Sequence, residues 1–313
     1  MYNKAMKLVI QIPAHNEEAS IGAVLEGLPK KIEGIDEIIN VVLDDGSNDE
    51  TKKIASEHNA KIISFKKRQG LSSIFKLGVE YALFCQADIL VNIDGDNQYK
   101  ASDIEKLIKP ILQNEADITI GARPIDKIKN FSFFKKNLQK FGSFMVKLIS
   151  REDVKDAPSG FRAFNTNALL HLNIFNPFSY TIESIIQAHN KNLIIKNIDI
   201  EINEQENRKS KLFKNNFDYI FEQTKNLIRF FIIYRPARFF ILFGTLLFLI
   251  GFSIGIRFLF YQNGHIQSLI LCAIVLTLSF ICYTLAILGD LLSINRKLLE
   301  EIRYELRYKK YKK

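Results

Sequence analysis

Residues 89–99 read "ILVNIDGDNQY", a short apolar run followed by two aspartates separated by one glycine, with a glutamine two positions further on. An apolar run of this length between turn residues is typical of a buried strand. Asp94, Asp96 and Gln98 are therefore expected at the carboxyl end of that strand. Carboxylate and amide oxygens are hard ligands suited to Mg²⁺ or Mn²⁺ shared with phosphates. The stretch predicts a strand that ends in a metal site.

The neighbouring sequence repeats this alternation of strand and helix. Stretches with helical spacing separate the strand-like runs, as in "SSIFKLGVEYALF" (72–84), and this order predicts a mostly parallel sheet with helices on both faces. The other strand-like runs are "KLVIQIPA", "EIINVVLDD", "KIISF" and "DITIGAR". The inward face of the helix is predicted to carry Ile74, Leu77, Val79, Tyr81 and Ala82. The fold class over residues 1–210 is therefore predicted to be α/β.

Polar residues end three of the predicted strands, in "IPAHNEE", "VVLDDGSND" and "VNIDGDNQ". Ligands of open parallel sheets bind outside the carboxyl ends of the strands, so these groups are expected to converge on one crevice. Turn formation or helix capping is the rival explanation for Asp49. Two stretches, "SNDE" (47–50) and "SDIE" (102–105), fit the capping box in which a serine caps the first turn of a helix.

Two long apolar stretches lie near the C-terminus. Residues 239–256 and 266–289 are 18 and 24 residues long and carry no charge. Each is long enough to cross a hydrocarbon core of about 30 Å. A buried helical hairpin of a soluble protein is the alternative, but such a hairpin would normally carry a polar stripe. The sequence therefore predicts a two-helix transmembrane hairpin over residues 237–292.

Positive charge flanks the hairpin. Arg235 and Arg238 precede the first span, the link carries only Arg257, and residues 296–313 contain eight Lys or Arg and three Glu. The positive-inside rule then places the α/β domain and both termini in the cytoplasm, on the inner (cytoplasmic) membrane. The basic tail, residues 293–313, is expected either to bind anionic lipid headgroups or to be a solvated helix; no nucleic acid partner is expected, although the net charge is +9. Residues 211–236 are predicted to be interfacial amphipathic helices.

The motifs carry a resemblance as an ordered set. The stretches "IPAHNEE", "VVLDDGSNDET", "RQGLSSIFKLGVEYA", "DILVNIDGDNQY", "IGAR", "DAPSGFRAF" and "YTIESI" resemble those of the family 2 glycosyltransferases. Within that family they are most similar to the polyprenyl-phosphate glycosyltransferases typified by dolichyl-phosphate mannose synthase. The resemblance implies a GT-A-type nucleotide-sugar-binding domain and a membrane-bound hexosyltransferase.

The resemblance also implies roles for individual residues. Pro13, His15 and Glu17 would lie by the nucleoside, and Asp45 or its neighbour Asp44 would accept hydrogen bonds from the base. Arg68 and Gly70 would close over the donor, and Asp94, Asp96 and Gln98 would bind one Mg²⁺ or Mn²⁺. Arg123 and Asp156 complete the catalytic set. The residues expected to bind the acceptor phosphate are Arg123, Lys135, Lys136, Lys140, Ser159, Arg162, Arg208 and Lys211. For Arg162, a salt bridge to a neighbouring acid is the rival reading, and Lys211 stands where Arg is usual.

The predicted reaction is inverting transfer of one sugar from a nucleoside-diphosphate sugar to a polyprenyl monophosphate, either undecaprenyl or dolichyl phosphate. A phosphate oxygen is anionic near neutral pH, so no strong general base is needed, and Asp156 would at most orient the acceptor. The alternatives are a processive polysaccharide synthase and a non-catalytic, membrane-tethered nucleotide-sugar binding protein. UDP is preferred over GDP in the donor. Gly244, Gly251 and Gly255 make hairpin association into a homo-oligomer a further expectation.

Overall fold

The protein is described by a computed structural model of the 313-residue chain. The described residues are 5–124, 147, 150, 152–175, 180–203, 225, 228–260 and 266–311. They divide into two compact units. One unit contains the described residues up to 203 together with residues 304–311, and the other contains those from 225 to 303.

Among the described residues, the first unit contains a mixed sheet of seven strands in the order β3-β2-β1-β4-β6-β5-β7. Only β6 runs antiparallel to its neighbours β4 and β5, and the other pairs of neighbours are parallel. The predicted α/β class with a mostly parallel sheet is confirmed. The strands are β1 (Lys7–Ala14), β2 (Glu37–Asp44), β3 (Lys61–Ser64), β4 (Ile89–Asn92), β5 (Ile118–Ala122), β6 (Arg162–Asn165) and β7 (Ile195–Asp199).

Helices connect the strands of the first unit. The core is the set of apolar side chains between the sheet and these helices, and it includes Ile10, Ile12, Ile21, Val91 and Ile104. The central strands β1 and β4 are almost entirely buried, as expected for strands covered on both faces. The α-helices are α1 (Ile21–Gly27), α2 (Thr51–Glu57), α3 (Leu71–Phe84), α4 (Ile104–Leu112), α5 (Thr166–His171) and α6 (Tyr180–Asn190), and Ala101–Asp103 form a 3₁₀ turn.

The buried face of α3 differs in part from the prediction. Ile74, Val79 and Ala82 are buried as predicted, whereas Leu77 and Tyr81 are only half-buried. Phe75 and Gly78 are buried on that face as well. A Cβ atom at Gly78 would lie 1.5 Å from Gln11 Oε1, so α3 approaches β1 more closely than any other residue type would permit.

Neither predicted capping box forms. The helix α2 begins at Thr51, after a turn in which Asp49 Oδ1 accepts hydrogen bonds from the Thr51 amide and hydroxyl. The Ser47 hydroxyl instead accepts a hydrogen bond from the Asn16 amide, which lies on the neighbouring loop. Ser102 lies inside the 3₁₀ turn that precedes α4 and does not cap that helix. At Ser47, a contact between loops thus takes the place of the predicted cap.

The second unit contains two long apolar helices, α7 (Pro236–Phe260) and α8 (Ile266–Tyr311). Both are long and apolar enough to cross a membrane. In the most apolar 18-residue stretch of each helix, only 11% and 17% of the residues are buried. Most of their apolar side chains are therefore exposed, which disfavours the buried hairpin of a soluble protein. Most of the predicted interfacial segment 211–236 lies outside the described residues, and residues 228–234 are helical.

The glycines of the hairpin pack within the chain. Added Cβ atoms at Gly244, Gly251 and Gly255 would lie 3.1, 2.9 and 3.2 Å from Tyr283, Leu276 and Cys272 of α8. Ser279 Oγ also donates a hydrogen bond to the Gly244 carbonyl at 2.8 Å. These three positions bring α7 against α8, so they supply no argument for a homo-oligomer.

The end of α8 belongs to the first unit. Arg307 is buried and donates hydrogen bonds to the carbonyls of Leu169, Leu170 and Leu172 at 3.3, 3.4 and 2.6 Å, at the C-terminal end of α5. It also forms an ion pair with Glu80 of α3, whose carboxylate accepts a second hydrogen bond from Tyr311. A cation is favourable at a helix C-terminus because the last carbonyls lack partners. This part of the predicted tail packs on the first unit, and the charge of Arg307 is not available to lipid headgroups.

We predict that Arg307→Ala destabilises the first unit by about 2 kcal/mol, because it removes a charged donor from buried carbonyls and from Glu80. The thermal midpoint of the detergent-purified protein should fall by several degrees. Lys309→Ala, at an exposed position on the same helix, is the matched control. Equal midpoints for the two variants would show that the docking of residues 304–311 contributes no stability.

Candidate active site

The strands β2, β1 and β4 are adjacent, and their carboxyl ends bring the predicted motifs together. Ala14 pairs with Asp44 at the ends of β1 and β2, and the Asp45 amide donates to the Ala14 carbonyl at 2.9 Å. The Gly95 amide donates to the Pro13 carbonyl at 3.2 Å, which joins the loop after β4 to the end of β1. The three polar motifs therefore form one edge of the sheet, as the sequence predicted.

Two neighbouring carboxylates dominate the electrostatics of this edge. Asp94 and Asp96 are both half-buried. Desolvation of the Asp94 carboxyl group, together with the like charge of Asp96, raises the pKa of Asp94 to about 7, and Arg123 opposes the shift. A carboxyl group with this pKa is protonated in a large fraction of the molecules at neutral pH. A second negative charge beside Asp96 is unfavourable in this desolvated position.

The donor set fits a divalent cation shared with a ligand. Binding a cation removes the repulsion between the two carboxylates, and oxygen ligands suit Mg²⁺ or Mn²⁺. Asp96 Oδ1 accepts a hydrogen bond from the Gln98 amide at 3.0 Å, so the turn orients this carboxylate. Among the described residues no group of three His, Cys, Asp or Glu side chains is arranged to hold a metal, so the remaining ligands have to include Gln98, water or phosphate oxygens.

Arg123 links the acid pair to a buried acid. Its Nε and Nη2 donate to the two carboxylate oxygens of Asp156 at 2.7 and 3.0 Å, a bidentate pair. Its Nη1 lies 3.4 Å from Gln98 Oε1, beside the two aspartates. Asp156 is buried and is occupied by this ion pair, so it positions Arg123 and is not placed as a general base. The Nη1 side of the Arg123 guanidinium is not used by Asp156 and faces Gln98 beside the acid pair.

Arg162 is not available to an acceptor phosphate. It is fully buried, and its guanidinium donates to the carbonyls of Ser159, Ala157 and Thr181 and to the hydroxyl of Ser184. The predicted acceptor role of Arg162 is therefore not retained, and these hydrogen bonds are not the acid salt bridge of the rival reading either. Ser159 is also fully buried, so it does not offer a surface for the acceptor. Both residues shape the loop that leads into β6.

The donor side is built around Asp45. Its carboxylate accepts hydrogen bonds from the amides of Gln69 and Gly70 at 2.5 and 3.0 Å, and Arg68 Nε lies 3.9 Å from Oδ2. His15 Nδ1 lies 2.8 Å from the Asp45 carbonyl oxygen. Gly70 has a φ of +90°, a conformation that favours glycine, and it precedes the first residue of α3. Asp45 thus fixes the loop that the resemblance places over the donor.

Asp44 and Glu17 have defined internal partners as well. Asp44 is fully buried and accepts hydrogen bonds from the Ser47 amide at 3.0 Å and the Ser64 hydroxyl at 2.6 Å. Both neighbours are buried and hydrogen-bonded, so the choice between Asp44 and Asp45 for a nucleoside base stays a prediction. The Glu17 amide donates to Thr51 Oγ1 at 2.8 Å, and the negative charge of Glu17 contributes to the raised pKa of Asp94. The predicted donor residues Pro13, His15 and Glu17 lie at the same edge as the acid pair.

Five predicted acceptor residues lie outside the described residues, namely Lys135, Lys136, Lys140, Arg208 and Lys211. The structure also brings in residues for which sequence reasoning assigned no role. Asn92, Gly160 and Tyr180 form a buried polar group behind Asp94. A signal was present for Asn92, since it is the only polar residue in the otherwise apolar run "ILVNI".

Comparison with known proteins identifies the family. The sequence model of glycosyl transferase family 2 matches residues 9–172, which include the acid pair and the loop that Asp45 fixes. The chain belongs to glycosyl transferase family 2. This is the family that the ordered motifs predicted.

Several relatives have names that include a polyprenyl phosphate. The chain is 32% identical over 186 residues to a dolichol-phosphate mannosyltransferase of Pyrococcus furiosus, covering 56% of this chain and 51% of that protein. It is 34% identical over 192 residues to a UDP-N-acetylglucosamine–dolichyl-phosphate N-acetylglucosaminyltransferase of Methanococcus voltae, covering 54% of this chain and 72% of the relative. An uncharacterised protein of Methanocaldococcus jannaschii is 36% identical over 165 residues, or 52% of this chain. The chain spans 66% of the length of that protein, so the matches cover a part of each relative.

Solved structures confirm the fold. Glucosyl-3-phosphoglycerate synthase of Mycobacterium tuberculosis, crystallised with Mn²⁺, UDP and glucosyl-3-phosphoglycerate, superimposes with a TM-score of 0.57 at 18% identity. The alignment covers 72% of this chain and 79% of that one. The same enzyme with Mg²⁺ and UDP gives a TM-score of 0.55. The first unit therefore has the GT-A-type fold that the resemblance implied.

The raised pKa of Asp94 predicts a pH dependence of metal binding. Protons and the cation compete for this carboxylate, so Mn²⁺ affinity should weaken as the pH falls from 8 to 6 and Asp94 protonates, and binding near pH 7 should release protons. Calorimetry at pH 6, 7 and 8, in buffers of different ionisation enthalpy, measures both quantities. An affinity that does not change over this range would contradict the assignment of Asp94 as a ligand.

Proposed function

We propose that the protein is an inverting hexosyltransferase that moves one sugar from a nucleoside-diphosphate sugar to a polyprenyl monophosphate, giving a polyprenyl-phosphate sugar for cell-envelope glycan or lipid modification. The observation that carries the proposal is that one chain joins a family 2 domain with an acid pair at the end of β4 to two exposed apolar helices. The names of the P. furiosus and M. voltae relatives, which include dolichol phosphate, support this acceptor class.

The described residues suit departure of a nucleoside diphosphate. Asp94, Asp96 and Gln98 would hold the Mg²⁺ or Mn²⁺, whose positive charge offsets the charge that develops on the leaving diphosphate. Arg123, held by Asp156, presents a guanidinium edge beside the acid pair, where it would contact a phosphate group. Asp45 holds residues 69 and 70 over the donor side.

The acceptor needs orientation more than activation. An oxygen of a phosphate monoester is already anionic near neutral pH, so it attacks the anomeric carbon without a strong general base. The main contribution to the rate comes from holding the donor and the acceptor in line. The acceptor oxygen then lies on the face of the sugar opposite the leaving diphosphate. Arg123 is the described candidate for the acceptor phosphate, and Lys135, Lys136, Lys140, Arg208 and Lys211 stay proposed from the resemblance.

The two apolar helices support a membrane location. The helices α7 and α8 would form the transmembrane hairpin in the inner (cytoplasmic) membrane, with Arg235 and Arg238 on the cytoplasmic side together with the catalytic domain and both termini. Residues 211–236 would lie in the interface, so that a polyprenyl tail stays in lipid while its phosphate reaches the site. Undecaprenyl phosphate and dolichyl phosphate are the two acceptors to compare.

The donor nucleotide is proposed to be UDP in preference to GDP. The name of the M. voltae relative includes UDP-N-acetylglucosamine, which supports a uridine donor. The identity of the sugar depends on the pocket beside the acid pair, so glucose, mannose and N-acetylhexosamine donors all belong in the first test.

The deciding experiment incubates the detergent-purified protein with Mn²⁺ or Mg²⁺, a panel of UDP- and GDP-sugars and each polyprenyl phosphate, and follows the lipid by mass spectrometry. We expect the mass of one sugar to be added with one donor. Asp96→Ala should lower the rate by at least about 100-fold, because a missing electrostatic contact to the leaving group typically costs that much. Glu33→Ala, at an exposed carboxylate before β2, is the control and should leave the rate unchanged.

Other results would favour the alternatives. A ladder of products with many sugars would indicate a processive polysaccharide synthase. Nucleotide-sugar binding without any lipid product from either acceptor would contradict the proposal and indicate a non-catalytic binding protein.

A further inference from the structure

A buried polar group lies directly behind Asp94, and it consists of Asn92, Gly160, Tyr180 and the hydroxyl of Tyr99. We name this set the polar rack. Asn92 is the last residue of β4, two positions before Asp94, and Asn92 and Tyr180 are fully buried. Buried polar side chains in an otherwise apolar core are costly unless they are hydrogen-bonded, so their partners show what they hold in place.

The hydrogen bonds of the rack converge on the backbone of Gly160. Asn92 Nδ2 donates to the Gly160 carbonyl at 2.8 Å and to Tyr180 Oη at 3.0 Å. The Gly160 amide donates to Tyr99 Oη at 3.2 Å, so both polar groups of this residue are engaged. The other end of the Asn92 amide, Oδ1, accepts from Gln11 Nε2 of β1 at 2.7 Å, which fixes its orientation.

Gly160 lies in turn against the carboxylate of Asp94. An added Cβ atom would lie 2.8 and 2.9 Å from the two Asp94 oxygens and 3.1 Å from Tyr180 Oη. The two separations from the Asp94 oxygens are shorter than a carbon atom tolerates, so a side chain at residue 160 would push the carboxylate away. The glycine backbone thus forms one wall of the space in which the Asp94 carboxylate sits, and the rack holds that wall.

The hydroxyl of Tyr180 has little freedom of its own. Its ring stacks on Phe75 of α3 with a centroid distance of 4.0 Å and an interplanar angle of 11°. Phe75 also packs edge-on against Phe164 of β6 at 5.6 Å. A phenylalanine would fill the same space, so the tyrosine adds a single polar atom whose contacts lead to Gly160 and the Asp94 region.

We propose that Asn92 and Tyr180 are positioning residues for the metal site, which hold Gly160 so that the Asp94 carboxylate has one placement suited to a divalent cation. The inference rests on the proposed function only in assuming that Asp94 binds a metal. Groups that orient a metal ligand typically change metal affinity by 10- to 100-fold when they are altered. Both residues are fully buried, so their effect should act through the placement of the Asp94 carboxylate.

The test variant is Tyr180→Phe, which keeps the ring and its stacking on Phe75 and removes only the hydroxyl. Mn²⁺ binding to the full-length protein in detergent is measured by electron paramagnetic resonance, with Mn²⁺ alone and with Mn²⁺ and UDP. We expect affinity to fall by about 10-fold. The matched control is Tyr81→Phe, which removes a hydroxyl from a half-buried tyrosine of α3. This variant should bind Mn²⁺ as the unaltered protein does.

Two further readouts separate positioning from general stability. Sugar transfer by Tyr180→Phe should recover when Mn²⁺ is raised to saturation, and the thermal midpoint in metal-free buffer should stay close to that of the unaltered protein. Gly160→Ala should weaken Mn²⁺ binding more than Tyr180→Phe, because its methyl group displaces the carboxylate. A lower thermal midpoint with unchanged Mn²⁺ affinity would show a structural role only and would overturn the inference.

Different results would overturn the role of the polar rack and the proposed function. Transfer of a sugar by the unaltered protein, with equal Mn²⁺ affinity in Tyr180→Phe, would overturn the role of the rack alone. Mn²⁺ binding that weakens in Tyr180→Phe, in a protein that transfers no sugar, would support the rack and contradict the transferase proposal. No Mn²⁺ binding by the unaltered protein, with or without UDP, would overturn the rack.

Discussion

The repulsion between Asp94 and Asp96 is the constraint around which this edge of the sheet is organised. Desolvation at the end of a buried strand, together with the like charge of Asp96, raises the pKa of Asp94 to about 7, and a partner of opposite charge offsets that cost. Arg123 supplies part of that charge, but Asp156 holds two of its three nitrogens. A divalent cation bound together with a diphosphate would complete the balance, which is why the site suits a nucleoside-diphosphate sugar.

Charged residues near the site divide into those that face the ligand space and those that build the fold. Arg162 is buried among carbonyls, and Asp44 holds a turn through Ser47 and Ser64, so both belong to the fold. Arg307 also stabilises the catalytic domain, although it is remote in sequence. Arg123, Asp45 and the acid pair lie at the carboxyl edge. Asp45 belongs to both groups, because it is buried and its carboxylate accepts hydrogen bonds from the amides of Gln69 and Gly70.

Much of the fold could be predicted from the sequence because its signals are local. The apolar runs of β1 to β5 and the 3.6-residue spacing of α3 predicted these elements to within a few residues. The strands β6 and β7 were not predicted. β6 begins with Arg162, whose burial depends on carbonyl acceptors of the 157–159 loop and α6, and short sequence patterns do not encode such distant partners. The capping box at Ser47 was wrong for the same reason, since Asn16 binds that hydroxyl.

The site shows the same division between local and distant information. Adjacent positions in one motif identified Asp94, Asp96 and Gln98, whereas the wall formed by Gly160 becomes visible only when β4 and β6 are brought together. The central claim is that the acid pair binds the cation of a nucleotide-sugar complex. A structure of the protein with Mn²⁺ and UDP, using the anomalous signal of manganese, tests it most directly. We expect one manganese peak coordinated by both Asp94 and Asp96. A peak elsewhere, or none beside these carboxylates, would show that the acid pair does not bind the cation.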